Sequence, residues 1–346
     1  MKRLFATSAA VLLAGSLFML AVQGAPGGVN ASGKAPSASV VAQARANFVK
    51  VMSAHAPAIG GRGGGGWVSP GGLHSGAPRA ANGTVTAFPT LNWSGYADSE
   101  SASNTVSKVS GSWTLPAVEC PRYPYQNQGA YLVNWVGIDG VTTGTVEQLG
   151  TGAQCFEGVL YYYVWYEMFP AGMVEEGTPA CINNNVDCPA PGDQISASVN
   201  VTPGSSGNNN YQLSLTDHTR PDESFSVSST CATATCQDAS AEWIVERPAY
   251  QPSADLVEFV PLAAFGRTFF SRGDVTSGGH SSNIQGFKDG PIYYIPMVDD
   301  SISYYLACPG QSSPPGSLLL FTNANACPAV SPFPSGGFQD TWDVSF

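Results

Sequence analysis

Three stretches of this chain set a carboxylate or a carboxamide beside tryptophan: Asn134–Gly140 (NWVGIDG) continuing into Val146–Thr151 (VEQLGT), Val164–Pro170 (VWYEMFP) and Ser240–Pro248 (SAEWIVERP). A fourth, Leu91–Ala97 (LNWSGYA), precedes them. A carboxylate can take a proton from water and return it to a leaving group. A carboxamide N–H can donate to an oxygen that is becoming negative. Together they can hydrolyse a bond with no cofactor and no metal, and none is expected. Other hydrolytic machineries lack their parts. Of the four histidines, His55 and His74 precede residue 90, while His218 (in TDHT) and His280 (in SGGHSS) sit in turn-like polar sequence. There is no His-Glu-x-x-His, no Gly-x-Ser-x-Gly elbow, no Asp-Thr-Gly or Asp-Ser-Gly, and no phosphate loop in a strand–loop–helix context. The Arg-Gly-Asp at 272–274 reads as a chance match.

The scaffold that must align these segments reads as β throughout. From Pro89 onward, short strand-like runs alternate with turn residues. They are Val106–Thr114, Tyr131–Ile138, Thr145–Gly150, Val159–Phe169, Gln194–Val201, Tyr211–Thr216, Ser224–Ser228, Ala241–Val245, Val257–Val260, Arg267–Ser271, Ile292–Pro296, Ile302–Ala307 and Leu318–Thr322. In Val159–Phe169 every second residue shares a face, and four of those six are aromatic. So many strands without crossover helices predict an all-β fold, an antiparallel sandwich or barrel. No repeat of fixed period suggests a propeller. By alternation Glu242 points with Ile244, opposite Trp243 and Val245, so parity alone leaves open which face is the cleft.

The four blocks, in this order, resemble the glutamic peptidases (the eqolisin family) from about Asn92 through Pro248. The resemblance implies a sandwich of two large antiparallel sheets, of the concanavalin-like or jelly-roll type. It also implies a catalytic Gln–Glu pair, here Gln148 and Glu242, with Trp135, Asp139, Trp165 and Glu167 lining or supporting the cleft. Residue 147 is Glu where well-known members carry an apolar residue, and the loop from Asp139 to Gln148 is slightly short. Gln154 is a competing glutamine, without the following Gly. The implied activity is an acid endopeptidase acting on proteins and peptides, with Glu242 as general base and Gln148 positioning water and stabilising the oxyanion. A histidine base would be protonated in acid, whereas a carboxylate of ordinary pKa, near 4.3, is still partly ionised there. Two other readings use the same residues: a secreted glycosidase with Glu167 and Glu242 as its carboxylate pair, or a carbohydrate-binding sandwich without catalysis.

Charge separates a front from a body. All 25 Asp and Glu residues of the 346-residue chain lie between Asp98 and Asp343, and seven of the 14 Lys and Arg precede residue 90. The body thus sets seven bases against 25 acids, a net −18, which opposes nucleic-acid binding. Residues 1–24 read as a signal peptide: Lys2 and Arg3, an apolar run Leu4–Val22, and small residues before Ala25. The expectation is a secreted, extracellular monomer that leaves the membrane once the signal is removed. Residues 25–89 are Gly-rich and basic, with a short amphipathic helix expected at Ser39–Ala54. They read as a pro-segment or as a plain flexible linker; as a pro-segment they are expected to inhibit the body (90–346) through opposite charge until acid weakens the attraction. Eight cysteines, all in the body, suit disulfides in an exported chain; the expected pairs are 120–155, 181–188, 231–236 and 308–327.

Overall fold

The computed structural model describes residues 85–87, 90–99, 105–120, 129–141, 143–156, 159–184, 186–204, 209–231, 236–253, 256–288, 290–298, 305–310 and 337–342, together with positions 39, 42, 43 and 46. Those last four are helical. The rest of the expected helix, the signal stretch, Leu318–Thr322 and Cys327 lie outside the described residues.

The chain forms strands β1–β19 in sequence order, arranged mainly in two large sheets. The first sheet runs β1 (Val85–Ala87), β16 (Ile292–Ile295), β2 (Trp93–Ser99), β11 (Ser240–Glu246), β4 (Ala130–Ile138), β5 (Val146–Phe156), β6 (Val159–Phe169) and β7 (Val174–Glu176). All its pairings are antiparallel except β1 with β16, so three residues ahead of Pro89 extend the sheet edge. The second runs β10 (Phe225–Thr230), β9 (Asn209–Asp217), β8 (Gln194–Pro203), β3 (Val106–Thr114), β14 (Arg267–Ser277), β19 (Phe338–Trp342), β18 (Tyr305–Gly310) and β17 (Met297–Val298), with β15 (His280–Asn283) turning back on β14. β12 (Ala249–Ser253) and β13 (Leu256–Phe259) form a separate hairpin. A single short helix, α1 (Pro179–Asn184), follows β7.

The two sheets pack face to face as a sandwich. Their shared core takes Val136, Ile138, Leu149, Val164, Met168 and Trp243 from the first sheet and Val109, Trp113, Ile195, Val199, Leu213 and Phe270 from the second. The two indoles that cross this layer stay satisfied. The Trp113 N–H donates to Thr151 Oγ1 (2.9 Å), and the Trp243 N–H donates to the Ser110 carbonyl (2.8 Å). A second apolar cluster covers the other face of the first sheet, with Trp93, Trp135, Tyr163, Trp165 and Ile244. The first sheet is therefore buried on both faces, and β2, β4, β5 and β11 show no exposed position.

The second sheet is buried on one face only, so β8 and β9 alternate as expected of a sheet with one wet side. Its outer face carries few charges. Register rows there read Ser112–Ser196–Thr216 and Ser110–Ser198–Ser214–Ser226. Hydroxyls and carboxamides bond one another along it, including Ser112–Ser196 (2.9 Å), Ser214–Ser226 (2.6 Å) and Gln212–Ser226 (2.8 Å).

Disulfides join Cys120–Cys155, Cys181–Cys188 and Cys231–Cys236, the three expected pairs that fall within the described residues. The first ties the β4-side loop to β5, and the second closes α1 onto the chain beyond it.

Candidate active site

The site is built by register. Residues opposite one another in a sheet share a face. Glu242 on β11 faces Gly137 on β4, Gly137 faces Gln148 on β5, and Gln148 faces Glu167 on β6. On the far side, Glu242 faces Ala97 of β2. One row therefore reads Ala97–Glu242–Gly137–Gln148–Glu167, on the face that carries the second apolar cluster. The backbones of Glu242 and Gln148 are two strand spacings apart, roughly 10 Å. Only a glycine stands between them. A Cβ at 137 would lie 2.9 Å from the Trp135 ring and 3.1 Å from Gln148 Cβ. Gly137 therefore lies packed under the Trp135 ring, and only glycine fits at the position between the two side chains.

Gln148 is held from one side. Its Nε2 donates to Glu167 Oε2 at 2.7 Å. This bond sets which end of the amide faces Glu167. Oε1 has no hydrogen-bond partner among the described residues.

Glu242 is fully buried, and neither of its oxygens has a hydrogen-bond partner among the described residues. Burial pushes its pKa well above the usual carboxyl range; the nearby Ser240 hydroxyl pulls it back, and the charges of Asp139 and Asp98 push it further up. The sequence suggested a carboxylate of ordinary pKa. Desolvation raises it instead.

The next row on the same face supplies the walls: Ile244–Trp135–Gly150–Trp165. The Trp135 N–H donates to Glu246 Oε2 at 2.7 Å, and Asn92 Nδ2 donates to Glu246 Oε1 at 2.9 Å. Trp93 meets Trp135 edge-on at 4.9 Å. Glu246 and Gly137 were not singled out from sequence, although both lie inside the quoted blocks. Shared parity with Glu242 is the signal that points to Glu246.

Asp139 stands apart from this row. It follows the end of β4 at a positive φ of 69°, which Asp tolerates better than most residues. There its carboxylate accepts three consecutive backbone N–H groups, from Gln237 (2.7 Å), Asp238 (2.9 Å) and Ala239 (2.9 Å). It thus anchors the segment entering β11. Gln154, the competing glutamine, lies on the same face as Gln148 but at the far end of β5, where its amide donates to Tyr131 Oη (3.0 Å). His218 and His280 are exposed on the second sheet, away from the row.

Residues 91–295 match the family model described as the peptidase A4 family. Among solved structures, scytalido-glutamic peptidase with a transition-state analogue inhibitor aligns at a TM-score of 0.51 and 20% identity, covering 73% of this chain and 98% of that one. A second structure of that peptidase, with a peptide-based analogue, aligns at 0.50 with the same identity and coverage. Aspergilloglutamic peptidase from Aspergillus niger aligns at 0.39, with 22% identity over 62% of this chain and 99% of that one. No curated protein sequence matches.

Proposed function

The chain belongs to the peptidase A4 family and is a glutamic-type endopeptidase, and from that premise we propose that it is a secreted enzyme that cleaves proteins in acid with Glu242 and Gln148 as its working pair. The register row Glu242–Gly137–Gln148 is the observation that carries the reading.

When substrate and water reach this row, hydration lowers the cost of charge on Glu242, and its carboxylate takes a proton from the attacking water. The free N–H of Gln148 donates to the carbonyl oxygen as it becomes an oxyanion, while Gln148 Oε1 accepts from the water. Glu242 then returns the proton to the leaving amine. Glu167 acts by holding the Gln148 amide, and Trp135 and Trp165 offer apolar walls for substrate side chains.

The two-carboxylate glycosidase is the weaker reading. Such pairs stand about 5–9.5 Å apart. Glu167 and Glu242 are three strand spacings apart, roughly 14 Å between backbones, with the Gln148 amide intervening.

The basic front (25–89) would act as an intramolecular inhibitor that acid releases. The test is cleavage of denatured casein at about pH 4, comparing the full chain with the acid-matured form, and wild type with Glu242→Gln. Cleavage by matured wild type, insensitive to chelators and to serine and cysteine reagents, supports the reading. Cleavage by E242Q at the wild-type rate removes it.

A further inference from the structure

Glu147 precedes Gln148 on β5, and the pleat turns it the opposite way, into the sandwich with Ile138 and Met168. It is fully buried. One carboxylate oxygen from each of Asp139, Glu147 and Asp238 lies within 4.8 Å of the other two. Two of these acids are well supplied with donors. Asp139 has its three backbone amides, and Asp238 accepts from Tyr211 Oη (2.7 Å) and Asn209 Nδ2 (2.5 Å), both on β9 of the opposite sheet. Glu147 has no such supply. One oxygen lies 2.9 Å from Cys236 Sγ, which as half of a disulfide has no proton to give. The other has no hydrogen-bond partner among the described residues.

The ionisable groups facing Glu147 are Asp139 at the end of β4, Asp238 ahead of β11 and Tyr211 on β9; Asp98 on β2 lies further along its own register row, beyond Ile138 and Ala241. All are acids. The neutral Thr145 hydroxyl, 3.4 Å from Asp139 Oδ2, is the donor beside Glu147 and pulls its pKa part of the way back. Three carboxylates this close cannot all be charged in a dry interior. A divalent cation such as calcium would need about six to eight oxygens, and the Asp139 and Asp238 oxygens are already committed. A single proton suffices. Burial, then Asp139 and Asp238, push Glu147 well above the ordinary carboxyl range, while the three amides pull Asp139 back, so the proton belongs on Glu147.

We propose that Glu147 is a positioning residue: its neutral carboxyl donates to Asp139 and so ties the strand of Gln148 to the segment that leads into Glu242. This rests on the function proposed above. β4 separates those two strands, so the Glu147–Asp139 link is a side-chain tie between them that the sheet does not itself provide. When the pH rises, the proton leaves to solvent, the carboxylates repel, and the two members of the pair lose their common alignment.

The experiment compares wild type with Glu147→Gln, which keeps an N–H donor toward Asp139 and cannot ionise. Casein cleavage and thermal melting are followed from acid to neutral pH. E147Q should stay within about threefold of wild type at the acid optimum. It should hold its activity about one pH unit higher, which is about tenfold more activity at the upper edge of the wild-type range. Its melting temperature should fall less as pH rises. Superimposable pH profiles for the two proteins overturn the proposal. If E147Q fails to fold, infrared spectra of the Glu242→Gln/Asp340→Asn double variant, which lacks the other two strongly raised buried carboxyls, decide: a protonated-carboxyl band that outlasts the exposed acids and vanishes where wild-type activity fails supports it, and no such band overturns it. Calcium rescue of neutral-pH activity in wild type but not in E147Q would instead make the cluster a cation site, and also overturns it. Wild type that melts cooperatively yet cleaves nothing refutes the peptidase reading itself, and the melting comparison alone then judges the tie.

Discussion

Glu147 and Gln148 are neighbours in the chain, and the pleat sends them to opposite faces of the first sheet. On one face, Gln148 stands in a row that begins at Ala97 and has Gly137 between Gln148 and Glu242, and the Glu242 oxygens have no hydrogen-bond partner among the described residues. On the interior face, the adjacent row puts Glu147 beside Asp139 and Asp238, which are tied to backbone amides, to Tyr211 and to Asn209. The same residue type does different work on the two sides. In the proposed reaction the underserved carboxyl under the second apolar cluster is the one that would meet substrate. An underserved carboxyl inside a packed interior has to keep its proton. The contrast predicts that changes on the cleft face remove chemistry and spare stability, and that changes on the interior face move pH dependence.

The largest expected effect on the cleft face is Glu242→Gln, which should lower kcat by at least about a thousandfold while thermal melting in acid stays near wild type. Gln148→Ala should cost about a hundred- to a thousandfold, because an oxyanion donor is lost. Gly137→Val should follow at about tenfold or more and, unlike the others, should also lower the melting temperature, since its side chain would push the Trp135 ring and Gln148 out of place. Glu167→Gln should be mildest, about threefold to tenfold in kcat with KM little changed, because its amide lets Gln148 face either way. A large loss of melting temperature in E242Q or Q148A would break the contrast.

The interior face sharpens it through pH. Asp139, Glu147, Asp238 and Asp340 are all raised, chiefly by burial, with Asp340 pushed up to about 8. The folded protein therefore keeps protons that the unfolded chain releases above about pH 4. Their contribution to stability is complete below that pH and is lost as pH rises through the folded values, up to about 8 for Asp340. Melting temperature should fall steadily between those limits. Asp340→Asn, which replaces a buried carboxyl whose two oxygens have no hydrogen-bond partner among the described residues, should flatten that fall without changing kcat in acid. A melting temperature that rises toward neutrality would contradict this.

Much of the scaffold was legible because alternation is a backbone property. Val106–Thr114 and Val159–Phe169 have the bounds their patterns imply. β5 was read as ending at Gly150 but runs to Phe156. Its glycines make room for neighbouring groups. A Cβ at 150 would strike the Asn134 carbonyl, and one at 152 would strike the Tyr163 ring. β14 was cut at Ser271 for a related reason. The Arg272–Gly273 step is a bulge, with Arg272 at a φ of 52°, after which pairing resumes at Asp274. Trp93–Ser99 was quoted as a motif without being read as a strand, since Ser, Gly and Asp blur its pattern. The catalytic candidates were legible as blocks, but their common face was not. Register across three strands decides that, and register is a long-range property. The acid cluster was invisible for the same reason, because residues 139, 147 and 238 meet only after the sheets close.

The hydroxyl- and amide-covered outer face of the second sheet bears on how such a chain survives where it works. The whole sequence has an isoelectric point near 4.6, so in mild acid its molecules lose the mutual repulsion that ordinarily prevents flocculation. Serine, threonine, asparagine and glutamine hold their hydration shells whatever the proton concentration. Colloidal dispersion at the point of zero net charge can then depend on groups that do not titrate, which gives the plainest-looking surface of the molecule a reason for its composition.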